Sequence, residues 1–182
     1  MWAGRRKRFP RQAAFSLIEL LISLGLIMML TLALLTSYVF ILRGDQSLTN
    51  YGSMNAQARQ MLEVLGNDLR TAVDVTDFTA SSLTLSVPTT AAGGTNRDVV
   101  WEYDSSAGTL SREDSSLTKV YARDVQTLSF YYTNATNVQT ASLVEVKQVQ
   151  ISLRMLRLVA SSVTSEYVIS AQFTMRAKST AH

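Results

Sequence analysis

Phe15 to Leu42 (FSLIELLISLGLIMMLTLALLTSYVFIL) is an apolar run of 28 residues with one ionisable side chain, Glu19. As an α-helix it rises about 42 Å at 1.5 Å per residue, enough to cross a hydrocarbon core of roughly 30 Å. A secretory signal has an apolar stretch of only about 7–15 residues followed by a small-x-small cleavage site, so this run is too long for one. The spacing therefore predicts a transmembrane helix over 15–42. Beyond residue 42 apolar side chains alternate with Ser, Thr, Asn and Gln, as in a modest water-exposed domain.

The chain carries a formal net charge of +3, and its position matters more than its size. Arg5, Arg6, Lys7, Arg8 and Arg11 supply five cations before the first acid, Glu19. Without residues 1–14 the same count falls by five, to −2. From residue 76 onward nine basic and nine acidic side chains balance with no evident stripe. A phosphate-binding surface is not expected, and neither is nucleic acid as a partner. Read by the positive-inside bias, the leader cations keep the N-terminus in the cytoplasm and put residues 43–182 outside the inner membrane.

There is no cysteine, which removes disulfides, thiolate metal sites and cysteine nucleophiles. The single histidine, His182, is the last residue, so the many serines have no histidine partner inside the chain. No enzyme activity, cofactor or metal is expected. Asp104, Glu113 and Asp114 lie close in sequence near a turn, where an oxygen-preferring calcium ion is one reading and a solvated hairpin tip the other. Gly93-Gly94 lacks the further glycines and the Lys-Ser/Thr of a phosphate cradle. Trp101, Tyr103, Phe130, Tyr131 and Tyr132 are either an aromatic binding patch or strand core with cross-strand pairs.

A carboxylate within an apolar helix costs on the order of 3 kcal/mol at the bilayer centre and less near an end, so Glu19 demands a reason. Its surroundings are Ala13-Ala14-Phe15-Ser16-Leu17-Ile18-Glu19-Leu20-Leu21, after a short basic leader. This pattern resembles the class III signal of type IV prepilins. The resemblance implies that a prepilin peptidase cuts between Ala14 and Phe15 on the cytoplasmic side and methylates the new Phe15 amine. It also makes Glu19 the fifth mature residue, with a role in assembly. The family usually has Gly before the cut, where this chain has Ala14. Phe15 and Glu19 stand at i and i+4 on one helix face, and cleavage turns a neutral amide at Phe15 into a cationic amine. The resemblance implies that this amine, on a neighbouring subunit, offsets the desolvation of Glu19 when helices pack.

From residue 43 the helical period continues. Leu48, Tyr51, Met54, Ala58, Met61, Leu62, Leu65, Leu69 and Ala72 form one apolar stripe, predicting an amphipathic helix over 43–75. Gly44, Gly52 and Gly66 each weaken it by about 1 kcal/mol relative to Ala, and a bend is allowed there. After Val75 the period becomes two, predicting an extracytoplasmic β-domain over 76–182. Strands are expected at 82–87, 97–103, 109–112, 119–122, 125–132, 143–155 and 166–175, with a five-residue hairpin loop at 104–108. The turn at 161–165 holds no glycine and leaves room for a longer connection. The expected fold is α+β and pilin-like, a long N-terminal helix packed on an antiparallel sheet.

Ala58-Arg59-Gln60-Met61-Leu62 with Asn67–Ala72, Val100–Asp104 with Gly108–Arg112, and Val125 with Leu128–Tyr132 resemble the minor pseudopilin J of type II secretion and PilW-type minor pilins. The resemblance implies a structural subunit at or near the tip of a type IV pilus or type II secretion pseudopilus. Its implied partners are the prepilin peptidase and other major and minor pilins. The inner-membrane assembly platform and a motor ATPase would act indirectly. Two other readings stand beside it: a static membrane-anchored binding module of adhesin or receptor type, with an uncut leader, and a membrane-tethered hydrolase.

Overall fold

The computed structural model describes residues 16–89, 95–115, 117–160 and 163–178. One α-helix, α1, spans Leu17–Thr71, and eight strands follow among the described residues. They are β1 (Asp74–Phe78), β2 (Ser82–Pro88), β3 (Asn96–Asp104), β4 (Thr109–Asp114), β5 (Leu117–Ala122), β6 (Val125–Thr133), β7 (Gln148–Ala160) and β8 (Val163–Thr174). The long helix over antiparallel strands is the expected α+β, pilin-like fold. The chain divides into two units, Met1–Leu42 and Arg43–His182, and α1 contributes to both.

In the first unit every described residue of α1 is exposed, from Leu17 to Leu42. Its hydroxyls turn back onto the helix: Ser23 Oγ donates to the Leu20 carbonyl, Thr31 Oγ1 to Ile27 and Met28, and Thr36 Oγ1 to Leu32. These three hydroxyls thus satisfy themselves locally, as suits an apolar helix in lipid. The segment is long and apolar enough to cross a membrane.

In the second unit the strands form two sheets rather than the one sheet expected. Sheet A runs in the order β1-β2-β3-β4-β5 and sheet B in the order β6-β7-β8, all neighbours antiparallel. Backbone bonds join them, with Phe130 N–H donating to Ala80 and Val125 N–H to Gly108. Both sheets share a single core with α1. Met54, Met61, Leu65 and Leu69 from the helix meet Leu83, Val99 and Trp101 from sheet A and Phe130, Ile151 and Leu153 from sheet B. The apolar stripe is therefore a packing face from Met54 onward. Leu48 and Tyr51, its first two members, are instead exposed.

Three local expectations need correction. The helix ends at Thr71, not Val75: Val73 N–H donates to the Ser86 carbonyl, so the chain has already joined β2, and Val75 is the first buried residue of β1. Ala72 keeps the helical spacing because it is buried immediately after the last turn. The β7–β8 hairpin is tighter than expected, since the strands reach Ala160 and restart at Val163, and β7 starts at Gln148 instead of Leu143. Finally, Gly66 is more than a weak point in a continuous helix. A Cβ there would lie 2.7 Å from the Phe173 ring, so the glycine admits an aromatic side chain against the helix backbone.

Candidate functional site

Of the processing and assembly residues, Ala14, Phe15 and the cations Arg5, Arg6, Lys7, Arg8 and Arg11 lie outside the described residues. Glu19 is described. It occupies the first turn of α1, where Glu19 N–H and Leu20 N–H both donate to the Ser16 carbonyl. An acid in a first turn also meets the positive end of the helix dipole, a contribution of about 0.3–1 kcal/mol when exposed. The Glu19 side chain is exposed, with no ion pair to it among the described residues.

The acidic set near the β3–β4 turn does not come together. Asp104 pairs with Thr109 at one end of the hairpin and Asp114 with Val99 at the other. Asp104 caps its own turn. Its Oδ1 accepts from Ser106 Oγ (2.6 Å), Ser106 N–H and Ala107 N–H, bonds that hold its carboxyl below the ordinary value. Gly108 supplies the left-handed φ of 62° that closes this turn. Asp114 is committed to Arg97 and Arg112 (3.1 and 3.0 Å). The aromatic set is divided too: Trp101, Phe130 and Tyr132 are buried, while Tyr131 is exposed. Burial first, then the nearby charge of Asp77, pushes the Tyr132 hydroxyl up, and it donates to the Thr79 and Ser82 carbonyls.

Two polar clusters escaped the sequence reading. Asp68, on the buried side of α1, accepts from Arg112 Nε (2.7 Å), Arg112 Nη2 (3.2 Å) and Trp101 Nε1 (3.0 Å). The fork-shaped pairing holds the guanidinium above its usual pKa, with burial working against it. The second cluster fastens the end of the chain. Lys178 is 4% exposed and its Nζ lies 2.8 Å from Asp74 while also donating to the Leu143 carbonyl. Lys147 Nζ returns a bond to the Lys178 carbonyl. Burial raises the Asp74 carboxyl, but the Lys178 bond, the Val75 N–H and the ammonium charge together hold it below its ordinary value. These clusters tie α1 to sheet A, and sheet A to the segment leading into β7. They are structural pairs, and their groups are saturated.

An open depression of about 430 Å³ on the outer side of β3–β5 is lined by Glu102, Asp104, Ser111, Thr118 and Val120 among others. It offers carboxylates and hydroxyls, groups that accept and donate hydrogen bonds.

The functional information thus concentrates at the start of α1. Residues 9–35 match the family model described as the prokaryotic N-terminal methylation motif. No curated protein matches the chain. The matched segment covers the basic residue Arg11, the Ala14–Phe15 junction, Glu19 and the first three quarters of the apolar run. The chain carries a type IV prepilin-like N-terminal signal.

Proposed function

We propose that the chain is a structural subunit, a minor pilin or pseudopilin of a type IV pilus or type II secretion pseudopilus. It inserts with its N-terminus in the cytoplasm and its second unit outside. A prepilin peptidase cuts between Ala14 and Phe15 and methylates the Phe15 amine, and the mature subunit joins other pilins at or near the filament tip. Assembly force comes from the platform and motor ATPase through other proteins. The chain itself is not an enzyme.

The observation that carries this reading is the register of the match. The motif over residues 9–35 spans both the proposed Ala14–Phe15 cut and Glu19, and Glu19 stands in the first turn of a 55-residue helix. That helix supplies an exposed apolar half for a bundle and a packed half for the outer domain.

The test is the N-terminus of the chain recovered from membranes, with and without a prepilin peptidase, by intact mass and N-terminal sequencing. The expected product begins at Phe15 and carries one added methyl group only when the peptidase is present. A chain still starting at Met1, beside a control substrate that is cut, would overturn the proposal and favour a permanently anchored module.

A further inference from the structure

Two sheets have four edges, and the chain treats them in two ways. At β6 the outer backbone is engaged: Val125 N–H donates to Gly108, Phe130 N–H to Ala80, and the Tyr132 carbonyl accepts from Thr140. At β1 the N–H groups of Val75 and Phe78 are taken by the adjoining Asp74 and Asp77 carboxylates. The other two edges are bare. Beyond their ladders with β4 and β7, β5 and β8 make no backbone hydrogen bond among the described residues.

An open edge is a row of unpaired donors and acceptors, which soluble proteins usually blunt with Lys, Pro or a bulge. β8 has twelve residues, no Lys, no Pro and one charge, Glu166. Its inward side chains are also incompletely covered. Tyr167, Ile169, Ala171 and Phe173 are half-buried, whereas their ladder partners Met155, Leu153, Ile151 and Val149 are fully buried. A further strand along β8 would finish that layer of core. On β5, Leu117 is 72% exposed and Val120 37%, and the one charge is Lys119.

The directions of the two edges fit one another. Ser165 bonds Ser47, Tyr167 bonds Asn55 and Phe173 faces Gly66, so β8 advances with α1. The lengths agree: 19 helical residues rise about 28 Å and 8 strand residues about 26 Å. For β5 the order is reversed. Lys119 lies opposite Arg112, which holds Asp68, while Arg123 N–H donates to Gln57 just past the strand's end. Asn55 and Gln57 are two residues apart, about 200° around the helix. The open edges therefore run in opposite directions on opposite flanks of α1.

We infer that β8 of one copy pairs antiparallel with β5 of a second copy. Copies anchored in one membrane share the direction of α1, which makes β8 against β5 antiparallel and β8 against β8 parallel. A two-fold antiparallel β8 dimer would turn one copy upside down. The contact is thus heterologous, adding copies side by side and leaving one bare edge at each end of a run. The inference rests on the membrane anchor and is independent of cleavage at Ala14–Phe15.

The absence of cysteine gives a clean background for cross-linking. Two differently tagged full-length copies are co-expressed in membranes without a prepilin peptidase. One carries Thr118→Cys or Val120→Cys, and the other Thr164→Cys, Val168→Cys, Ser170→Cys or Gln172→Cys, all on the outer face. A disulfide needs Cα atoms about 4.4–6.8 Å apart. The expected result is a mixed-tag dimer for one β5–β8 pair and for its neighbour two residues along in the opposite sense. An intrachain control, Arg154→Cys with Val168→Cys across an existing ladder pair, reports that oxidation works. With that control positive, no mixed dimer in the whole scan would overturn the inference. So would dimers of equal yield from β8 cysteines alone.

Discussion

Asp68 makes the buried polar link between the helix and sheet A in the second unit. It is a buried carboxylate that joins α1 to β3 through Trp101 and to β4 through Arg112. Removing one member of a buried pair strands the other, at about 3–5 kcal/mol. Arg112 retains Asp114, so the lower end applies: Asp68→Asn is expected to cost about 3 kcal/mol. Urea unfolding of the full chain in detergent, followed by Trp101 fluorescence in a Trp2→Phe background, measures it. A loss under about 1 kcal/mol would show that the pair is surface-like. Replacing both partners with apolar residues, Asp68→Leu with Arg112→Met, is expected to recover most of the loss, because it leaves no unpaired charge. Nothing in the sequence singled out Asp68. Its spacing fits the buried stripe, but its polarity reads as a solvent-facing position, and its partner lies 44 residues away.

At the scale of elements, periodicity revealed most of what formed. The helical stripe from Met54 to Ala72 and the alternating strands β2 to β8 are local patterns, and each reports which side is buried. Three features were not legible because they depend on contacts distant in sequence. β1 is five residues with Asp at positions 74 and 77, and it exists because β2 supplies a ladder. The division into two sheets, bridged by backbone bonds to Ala80 and Gly108, rests on pairings between strands distant in sequence. Gly66 looked like a weak point in a helix, and Phe173 gives it a purpose. Gly66→Ala gains about 1 kcal/mol of helix propensity but drives a methyl into the ring, at about 1–3 kcal/mol for overpacking. The net expectation is a loss of up to about 2 kcal/mol. In a Phe173→Leu background the same change should become neutral or stabilising, and the sign reversal in urea titrations is the measurement. A Gly66→Ala change that stabilises the otherwise unaltered protein would mean that the ring swings away freely.

For the whole molecule the proposed function poses the question of how one chain remains a membrane protein and then becomes part of a filament, and charge offers a physical answer. On that proposal five cations hold the leader in the cytoplasm before cleavage, with Glu19 near the start of an apolar helix. Cleavage would remove the leader charges and add a new cation, the Phe15 amine, four residues before Glu19 in sequence. The mature N-terminus would then present an acid and a base where earlier there was the acid alone. Insertion and cutting draw on the apolar run and the junction, neither of which needs the Glu19 carboxylate. Under the proposed function bundle packing would need it, because a desolvated amine without an anion costs about 3 kcal/mol or more, which is at least a hundredfold in an association constant. Glu19→Ala is therefore expected to insert and to be cut and methylated as the unaltered chain is, while its recovery in sheared filaments falls roughly a hundredfold. Glu19→Gln, which keeps the shape and polarity, should fail to the same degree if charge is what matters. Glu19→Asp should recover part of the incorporation. Equal recovery of Glu19→Ala and the unaltered subunit would reduce Glu19 to a first-turn acid that serves the helix dipole, and leave the positioning of the subunit to its outer domain.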